Sequence, residues 1–246
     1  MKIFSKRCAA VVASIGVILS LAACGGGSGD GSSQTVSGTA AKGAALAGAT
    51  VNMTCANGAI LPGLTSSTGE YTTYSSSISY PCIGTAVAAG GSPSYRGVLF
   101  SGNVANFSPL TDMLVEAVLA ASAPGSASLS MAEFVTKMST DAIFSTNVSS
   151  AANAAAYRGV VLNVIANELS ATKTPAEIAK ILATAATFDS TYFVVGDPLD
   201  KVLDDLATIL QNVDGSVKAS ILAKVKFNAD ALRVVILRKP TGASGS

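Results

Sequence analysis

The fold of the first part of the chain is decided by the stretch TVSGTAAKGAALAGATVNMTCANGAILPGLTSSTGEY, residues 35–71. Short runs rich in Thr, Val and Leu alternate here with turn signals that contain glycine. These signals are Lys42-Gly43, Asn57-Gly58 and Thr68-Gly69, and Gly90-Gly91 follows further along. Short strands separated by turns at this spacing predict a small antiparallel β-sandwich, which we assign to residues 35–105.

Four groups of residues in this stretch share a pattern with a known type of module. They are Val36-Ser37-Gly38-Thr39, Lys42-Gly43, Leu46-Ala47-Gly48-Ala49-Thr50-Val51 and Ser67-Thr68-Gly69-Glu70-Tyr71. The pattern resembles the carboxypeptidase regulatory-like (prealbumin-like) domain, in which a Leu-x-Gly-Ala segment leads into the second strand and Gly-x-Tyr opens a later one. The resemblance implies a β-sandwich that scaffolds or binds and performs no catalysis.

After Phe107 the hydrophobic period changes from two to about 3.6 residues, which indicates helices. Ser108-Pro109 supplies an N-cap and a first-turn proline, and a stripe of apolar side chains at helical spacing follows over residues 110–121. We therefore predict an α-helical domain over residues 106–238.

Further helix starts follow from local signals. Ser130 and Thr174 each stand three residues before a Glu, as in a capping box, and Asp197-Pro198 marks another start. An alanine-rich helix is predicted over residues 150–169, for a bundle of five or six helices. The apolar run Val234-Val235-Ile236-Leu237 fits a closing strand or a last helical turn equally well. The predicted fold class is α+β with two domains, a β-sandwich followed by a helical bundle.

The first 24 residues have the features of a targeting signal. A positive start is followed by an apolar run over residues 8–19 and by Leu21-Ala22-Ala23-Cys24. The positive residues are Lys2, Lys6 and Arg7. This arrangement resembles a bacterial lipoprotein signal with its lipobox, although small residues also precede the cleavage site of an ordinary secretory signal. The resemblance implies that residues 1–23 are removed, and that Cys24 receives diacylglycerol and an amide-linked acyl chain such as palmitate.

The residues that follow the predicted anchor suggest how the protein is placed. Residues 24–34 are rich in Gly and Ser, which predicts a flexible tether, and residues 239–246 predict a disordered tail. Gly25 stands where lipoproteins kept at the inner membrane of diderm bacteria carry Asp. We therefore expect a cell-envelope protein held by lipid, on the outer membrane if the organism has one.

Cys55 and Cys82 are the only cysteines after Cys24. In an exported protein such a pair predicts a disulfide. A redox pair is the alternative, but the two residues are far apart rather than in a Cys-x-x-Cys turn.

Composition excludes several classes of function. The formal net charge is +1 with 13% charged residues, too little to form the basic face that nucleic acid requires. The chain has no His, which disfavours most catalytic triads and zinc sites. We predict no cofactor, no metal and no nucleic-acid partner.

Three groups of residues could form a catalytic or binding site. Ser170-Ala171-Thr172-Lys173 matches Ser-x-x-Lys of penicillin-recognising enzymes but lacks the companion motifs. A cluster of carboxylates could suggest a cation site. Acidic residues at the start of a helix, however, ordinarily interact favourably with the positive end of the helix dipole. Its members are Asp197, Asp200, Asp204 and Asp205. A basic set near the end suggests a solvated helix face, with contact to anionic polymers or lipid headgroups as the alternative. This set comprises Lys218, Lys224, Lys226, Arg233, Arg238 and Lys239.

We predict a non-catalytic, lipid-anchored envelope protein that acts as a binding or scaffolding module. The alternative is an enzyme that acts on an envelope polymer through Ser or carboxylate chemistry, and no catalytic residue is assigned. Besides the membrane, which the lipid contacts, the expected partner is an envelope protein, a glycan or a small ligand. Ligands favour domain junctions, so the candidate binding surface comprises Phe100, Asn103, Asn106 and Phe107.

Overall fold

A computed structural model describes residues 33–124 and 127–233. Within these residues, six antiparallel strands in two sheets are followed by seven helices. The strands are β1 (Gln34–Thr39), β2 (Thr50–Cys55), β3 (Ile60–Leu64), β4 (Glu70–Ser75), β5 (Cys82–Val87) and β6 (Ser94–Leu99). The helices are α1 (Pro109–Ser122), α2 (Met131–Thr140), α3 (Ala142–Val148), α4 (Ala151–Leu169), α5 (Pro175–Ala185), α6 (Pro198–Leu210) and α7 (Ala219–Asp230). The α+β class is thus confirmed.

Some predictions concern residues outside the described part of the chain. These are the signal peptide over residues 1–23, the lipidated Cys24, all but the last two residues of the tether, the run at residues 234–237 and the tail over residues 239–246. Among the residues described, no helix has the length and apolar character needed to cross a membrane.

The two sheets have the orders β1-β4 and β3-β2-β5-β6. Alternating burial along β2 shows why this sequence forms a strand with one buried face, because Val51, Met53 and Cys55 are buried while Thr50 and Asn52 are exposed. All four predicted turns contain a glycine with positive φ, namely Gly43, Gly58, Gly69 and Gly91. The sheets are sandwich-like, and the turn pattern of the sequence is confirmed.

The disulfide predicted from the sequence is present. Cys55 and Cys82 face each other directly across the antiparallel pair β2–β5, and both side chains are fully buried. The bond therefore joins the two central strands of the larger sheet.

The helices begin where the local signals place them. Ser108, Ser130 and Thr174 are N-caps with complete capping boxes, and prolines occupy the first turns of α1, α5 and α6. The alanine-rich α4 extends over Ala151–Leu169, as expected. The number of helices differs from five or six because α3, with seven residues, is too short to show a hydrophobic period.

Helix α1 closes one edge of the larger sheet. The Asp112 carboxylate accepts from the Arg96 backbone N–H at 3.1 Å, and the Thr111 hydroxyl donates to the Arg96 carbonyl at 2.9 Å. The Arg96 guanidinium also donates to Asp112 and to Glu116, at 2.7 and 3.1 Å. Side chains of α1 thus satisfy backbone groups that an open edge strand would leave for another chain.

The division into a β-sandwich domain and a separate helical domain is not confirmed. One hydrophobic core includes the strands, nearly all of α1 and the inner faces of the other helices. The segment from Asn103 to Phe107 lies parallel to β1 and bonds to it through Ser37 and Thr39. The described residues 33–124 and 127–233 accordingly fall within one compact unit.

Candidate functional site

The structure places the predicted binding surface mainly inside the protein. Phe100, Asn106 and Phe107 are buried, whereas Asn103 is exposed beside Tyr80 at a shallow depression. Phe100 stacks on the ring of Tyr157, with centroids 5.8 Å apart. This is a correction to the sequence analysis, because three of the four side chains are packed in the core and present no surface to a ligand. Asn106 and Phe107 are buried because their segment pairs with β1, whereas Phe100 directly follows β6 and packs against Tyr157.

Asn106 has a different role, which is to hold a loop in place. Its side-chain oxygen accepts from the Thr39 backbone N–H at 3.1 Å. Its amide nitrogen donates to the carbonyl oxygens of Phe188 and Thr191, at 3.0 and 2.8 Å. These carbonyls belong to residues 186–197, which connect α5 to α6 and are called the α5–α6 loop below. One buried amide therefore joins the end of β1 to this loop.

Further bonds fix the same loop to the strands. The Thr39 hydroxyl donates to the Phe193 carbonyl, and Phe193 itself is buried. The Tyr192 hydroxyl donates to the Glu70 carboxylate, and this bond, with a second from Thr68, lowers the pKa of Glu70. Hydrogen bonds to Thr39 of β1 and Glu70 of β4 therefore fix the loop to the smaller sheet.

The outer side of the loop is apolar. Tyr192, Val194 and Val195 are 41%, 36% and 40% exposed. The Val194 backbone N–H donates to the Asp197 carboxylate at 3.1 Å, which closes the turn before α6. The exposed side chains thus project from a fixed turn.

A cleft of about 470 Å³ lies between α5 and α6. Ile181, Val202 and Pro198 supply its apolar lining, and the first two are nearly fully buried. Lys173, Lys180 and Lys201 are the cations of the lining. Its other members are Glu177, Thr184 and Asp205. The volume lies in the range of small-molecule sites, and the lining combines an apolar floor with positive charge.

The charged side chains of the cleft leave a small positive excess, three lysines against two carboxylates. Glu177 is engaged in the capping box of α5, where bonds from the Thr174 backbone N–H and hydroxyl lower the pKa of its carboxyl. Within the described residues none of the three cleft lysines forms an ion pair. Glu177 and Asp205 belong to the same lining, so the cleft carries three cationic and two anionic side chains.

Asp200 differs from the other carboxylates of α6 because its side chain is buried. One carboxylate oxygen accepts from the Gly196 N–H at 2.8 Å, and the other has no hydrogen-bond partner. Burial, with the nearby charges of Asp204 and Asp197, raises the pKa of Asp200. The structure shows no group of three potential metal ligands in residues 33–124 and 127–233, so it adds no support for a cation site on α6.

The Ser-x-x-Lys sequence is not assembled into a catalytic pair. Ser170 is the C-cap of α4, and its hydroxyl donates to the Asn167 carbonyl at 2.7 Å. No hydrogen bond joins Ser170 to Lys173 in the described structure, and Lys173 instead lines the cleft.

The basic set near the C-terminus is largely engaged in contacts of its own. Lys218 donates to the carbonyls of Thr208 and Ile209, and Lys224 pairs with Glu168 at 2.5 Å. Arg233 donates to the Ala120 carbonyl and to Asp230. Lys226 lies on α7, while Arg238 and Lys239 lie outside the described residues.

Sequence reasoning missed the cleft and the apolar side of the loop. Lys173 precedes Thr174, the N-cap of α5, so no helical spacing in the sequence linked it to Lys180. The pairing of α5 with α6 also had no local signal, because it depends on how the helices pack. Comparison with known proteins found no family model, no curated protein and no solved structure that matches this chain.

Proposed function

We propose that this chain is a non-catalytic envelope protein, anchored by lipid at Cys24, that binds an anionic amphiphile in the cleft between α5 and α6. The cleft is the observation that carries the proposal. Its apolar floor suits a hydrocarbon portion of a ligand, and its lysines suit a carboxylate or phosphate. The sequence pattern that resembles the carboxypeptidase regulatory-like domain implies a scaffold rather than a catalyst, which supports the non-catalytic role.

The scaffold supports this role because the cleft is built on rigid parts. Both of its walls are helices with firm starts, α5 with a capping box and α6 with a first-turn proline. The connection between them is bonded to the sheet through Asn106 and Thr39. A preformed site loses little conformational entropy when a ligand binds.

Binding in the cleft is tested with a fatty acid that carries a fluorophore, titrated into the soluble chain from Ser32 to Ser246. We expect saturable binding of one probe per chain. The variant T184W fills the cleft and should weaken binding at least about tenfold, whereas the control T146W, placed between α2, α3 and the β2–β3 turn, should not. No saturable binding, or equal effects of the two variants, would overturn the cleft assignment.

The anchor is tested separately by metabolic labelling with a radioactive fatty acid. Cys24→Ala should abolish labelling and leave the unprocessed precursor, because the acyl chains and the cleavage both require that thiol. The variant Ser28→Ala in the predicted tether is the control and should be labelled normally. Unchanged labelling of the Cys24 variant would refute the lipid anchor.

A further inference from the structure

The loop between β4 and β5, residues 76–81, adjoins two depressions that the proposed function does not use. One, of about 360 Å³, lies between this loop, the turn after β2 and the helices α2 and α3. The other, of about 320 Å³, lies between the same loop, the start of β1 and residues 102–103. Tyr80 lines both, and we call the residues that line the two depressions the Tyr80 surface.

The Tyr80 surface is polar but uncharged. In the described structure no Lys, Arg, Asp or Glu lines either depression, whereas the α5–α6 cleft contains three cations and two anions. Hydroxyl and amide groups of the first depression come from Asn57, Ser79, Ser139, Thr140 and Thr146. Those of the second come from Gln34, Thr35 and Asn103. The surface therefore suits a neutral ligand that has hydrogen-bonding groups of its own.

Two charged residues adjoin the first depression in the sequence, and both are engaged with α3. Asp141 is the N-cap of α3, and its carboxylate accepts from the Phe144 N–H at 2.9 Å. The Lys137 ammonium lies 4.5 Å from the centroid of the Phe144 ring. Because the two groups have opposite signs, together they add no net charge beside the depression.

The polar groups match the hydroxyls of a sugar. The hydroxyls of Ser139, Thr140 and Thr146 each donate to a carbonyl of their own helix, at 2.8 to 2.9 Å. A hydroxyl oxygen that donates can still accept, so these oxygens remain acceptors for a ligand in the first depression. In the second depression the exposed amides of Gln34 and Asn103 offer donors as well as acceptors. A saccharide hydroxyl both donates and accepts, and it can therefore bond to either set.

Tyr80 supplies an aromatic ring whose position is fixed. Its hydroxyl donates to the Gly102 carbonyl at 2.6 Å, and the side chain is half-buried. The Ala56 N–H donates to the carbonyls of Ser79 and Pro81, the neighbours of Tyr80 in the sequence, at 2.9 and 3.0 Å. A ring held in this way loses little conformational entropy when a ligand binds. Tyrosine combines an apolar ring face, which can cover the C–H groups of a sugar ring, with a polar edge.

We propose that the Tyr80 surface binds a neutral oligosaccharide. The Tyr80 ring packs against the C–H face of one sugar ring. The hydroxyls of α2 and α3 accept from sugar hydroxyls in the first depression, and the amides of Gln34 and Asn103 bond to a neighbouring sugar in the second. This site is independent of the proposed anionic ligand, because in the described structure its lining shares no residue with the α5–α6 cleft.

The experiment is calorimetric titration of the soluble chain from Ser32 to Ser246, which contains the whole compact unit, with unlabelled hexasaccharides. The neutral probes are the hexasaccharides of glucose, mannose, galactose and N-acetylglucosamine, and at least one should bind saturably. The hexasaccharide of galacturonic acid carries a carboxylate on every ring. It should bind at least about tenfold more weakly than the best neutral probe, because the surface has no cation to pair with a desolvated carboxylate.

Variants locate the binding site. Tyr80→Ala should weaken binding at least about tenfold, because the ring face is lost, whereas Tyr80→Phe keeps that face and should bind within about threefold of the parent chain. Tyr74→Ala is the matched control, since it removes a tyrosine that is 65% exposed on β4, and it should not change the affinity. Asn103→Leu should weaken binding about three- to tenfold through the lost amide, and it decides the matter if circular dichroism shows that Tyr80→Ala is unfolded.

Three results would each overturn the proposal: no saturable binding of any neutral hexasaccharide, equal affinity for the galacturonic acid probe, or unchanged affinity in both Tyr80→Ala and Asn103→Leu. The variant T184W, which fills the α5–α6 cleft, should bind the oligosaccharide like the parent chain. Failure of the fatty-acid site or of the lipid anchor would therefore be seen in its own assay and would leave this titration unaffected.

Discussion

Replacement of Asn106 by Leu tests how much stability one buried amide contributes to the attachment of the α5–α6 loop. The substitution keeps the side-chain volume, so no large cavity forms. It leaves the Thr39 N–H and the carbonyls of Phe188 and Thr191 without their partner. At about 1–3 kcal/mol for the Thr39 N–H and about 1 kcal/mol for each of the two carbonyls, the expected loss is about 3–5 kcal/mol. For a unit of this size that corresponds to a fall in Tm of about 6–20 °C.

The assay is equilibrium denaturation in urea, together with hydrogen exchange of the loop amides. Asn103→Leu is the matched control, because Asn103 is exposed on the same segment, and it should change the free energy of unfolding by less than about 0.5 kcal/mol. Asn106→Asp keeps an acceptor for Thr39 but turns a carboxylate oxygen toward the Phe188 and Thr191 carbonyls. It should therefore destabilise at neutral pH and recover partly in acid. A loss below about 1 kcal/mol for Asn106→Leu, or unchanged exchange in the loop, would refute the reasoning.

Three further outcomes are expected. Reduction of the bond between Cys55 and Cys82 should lower the free energy of unfolding by roughly 3–4 kcal/mol in the chain-entropy model, and equal urea midpoints with and without reductant would contradict this. Because the pKa of Asp200 is raised in the folded state, its contribution to stability is present in acid and is lost as pH rises through that pKa. Asp200→Asn should therefore match the parent below about pH 4 and be more stable at pH 7, as thermal unfolding across pH would show. The soluble chain should not hydrolyse ester, peptide or glycoside substrates, with or without divalent metals, and turnover abolished by replacing one Ser, Asp or Glu would favour the alternative of an enzyme.

The features that the sequence predicted correctly are local ones. A capping box needs only four residues, so Ser130 and Thr174 marked helix starts without knowledge of the fold. Glycine turns are equally local. The disulfide followed from two cysteines with no other cysteine after Cys24, in a chain whose sequence predicts export. Strands and helices could thus be placed in order along the chain.

The features that the sequence left open depend on distant residues. Phe100 and Phe107, beside polar neighbours, resemble a ligand surface when the chain is considered alone. Phe107 is buried by a parallel pairing of residues 103–107 with β1, and Phe100 by packing on Tyr157 of α4. Neither contact with these distant residues is indicated by the local sequence. The cleft likewise requires α5 and α6 to pack side by side, which amphipathic stripes permit but do not specify.

The segment of residues 103–107 also explains why the strands and the helices do not form two independent domains. A linker between two independent domains is ordinarily exposed and polar, with few contacts across it. Here Ala105, Asn106 and Phe107 are buried, and Asn106 bonds the end of β1 to the loop between α5 and α6. The sheets are therefore the support on which the proposed binding cleft is positioned. A mutation in the strands that disturbs Thr39 is expected to affect the cleft through that loop, even though no strand residue lines the cleft.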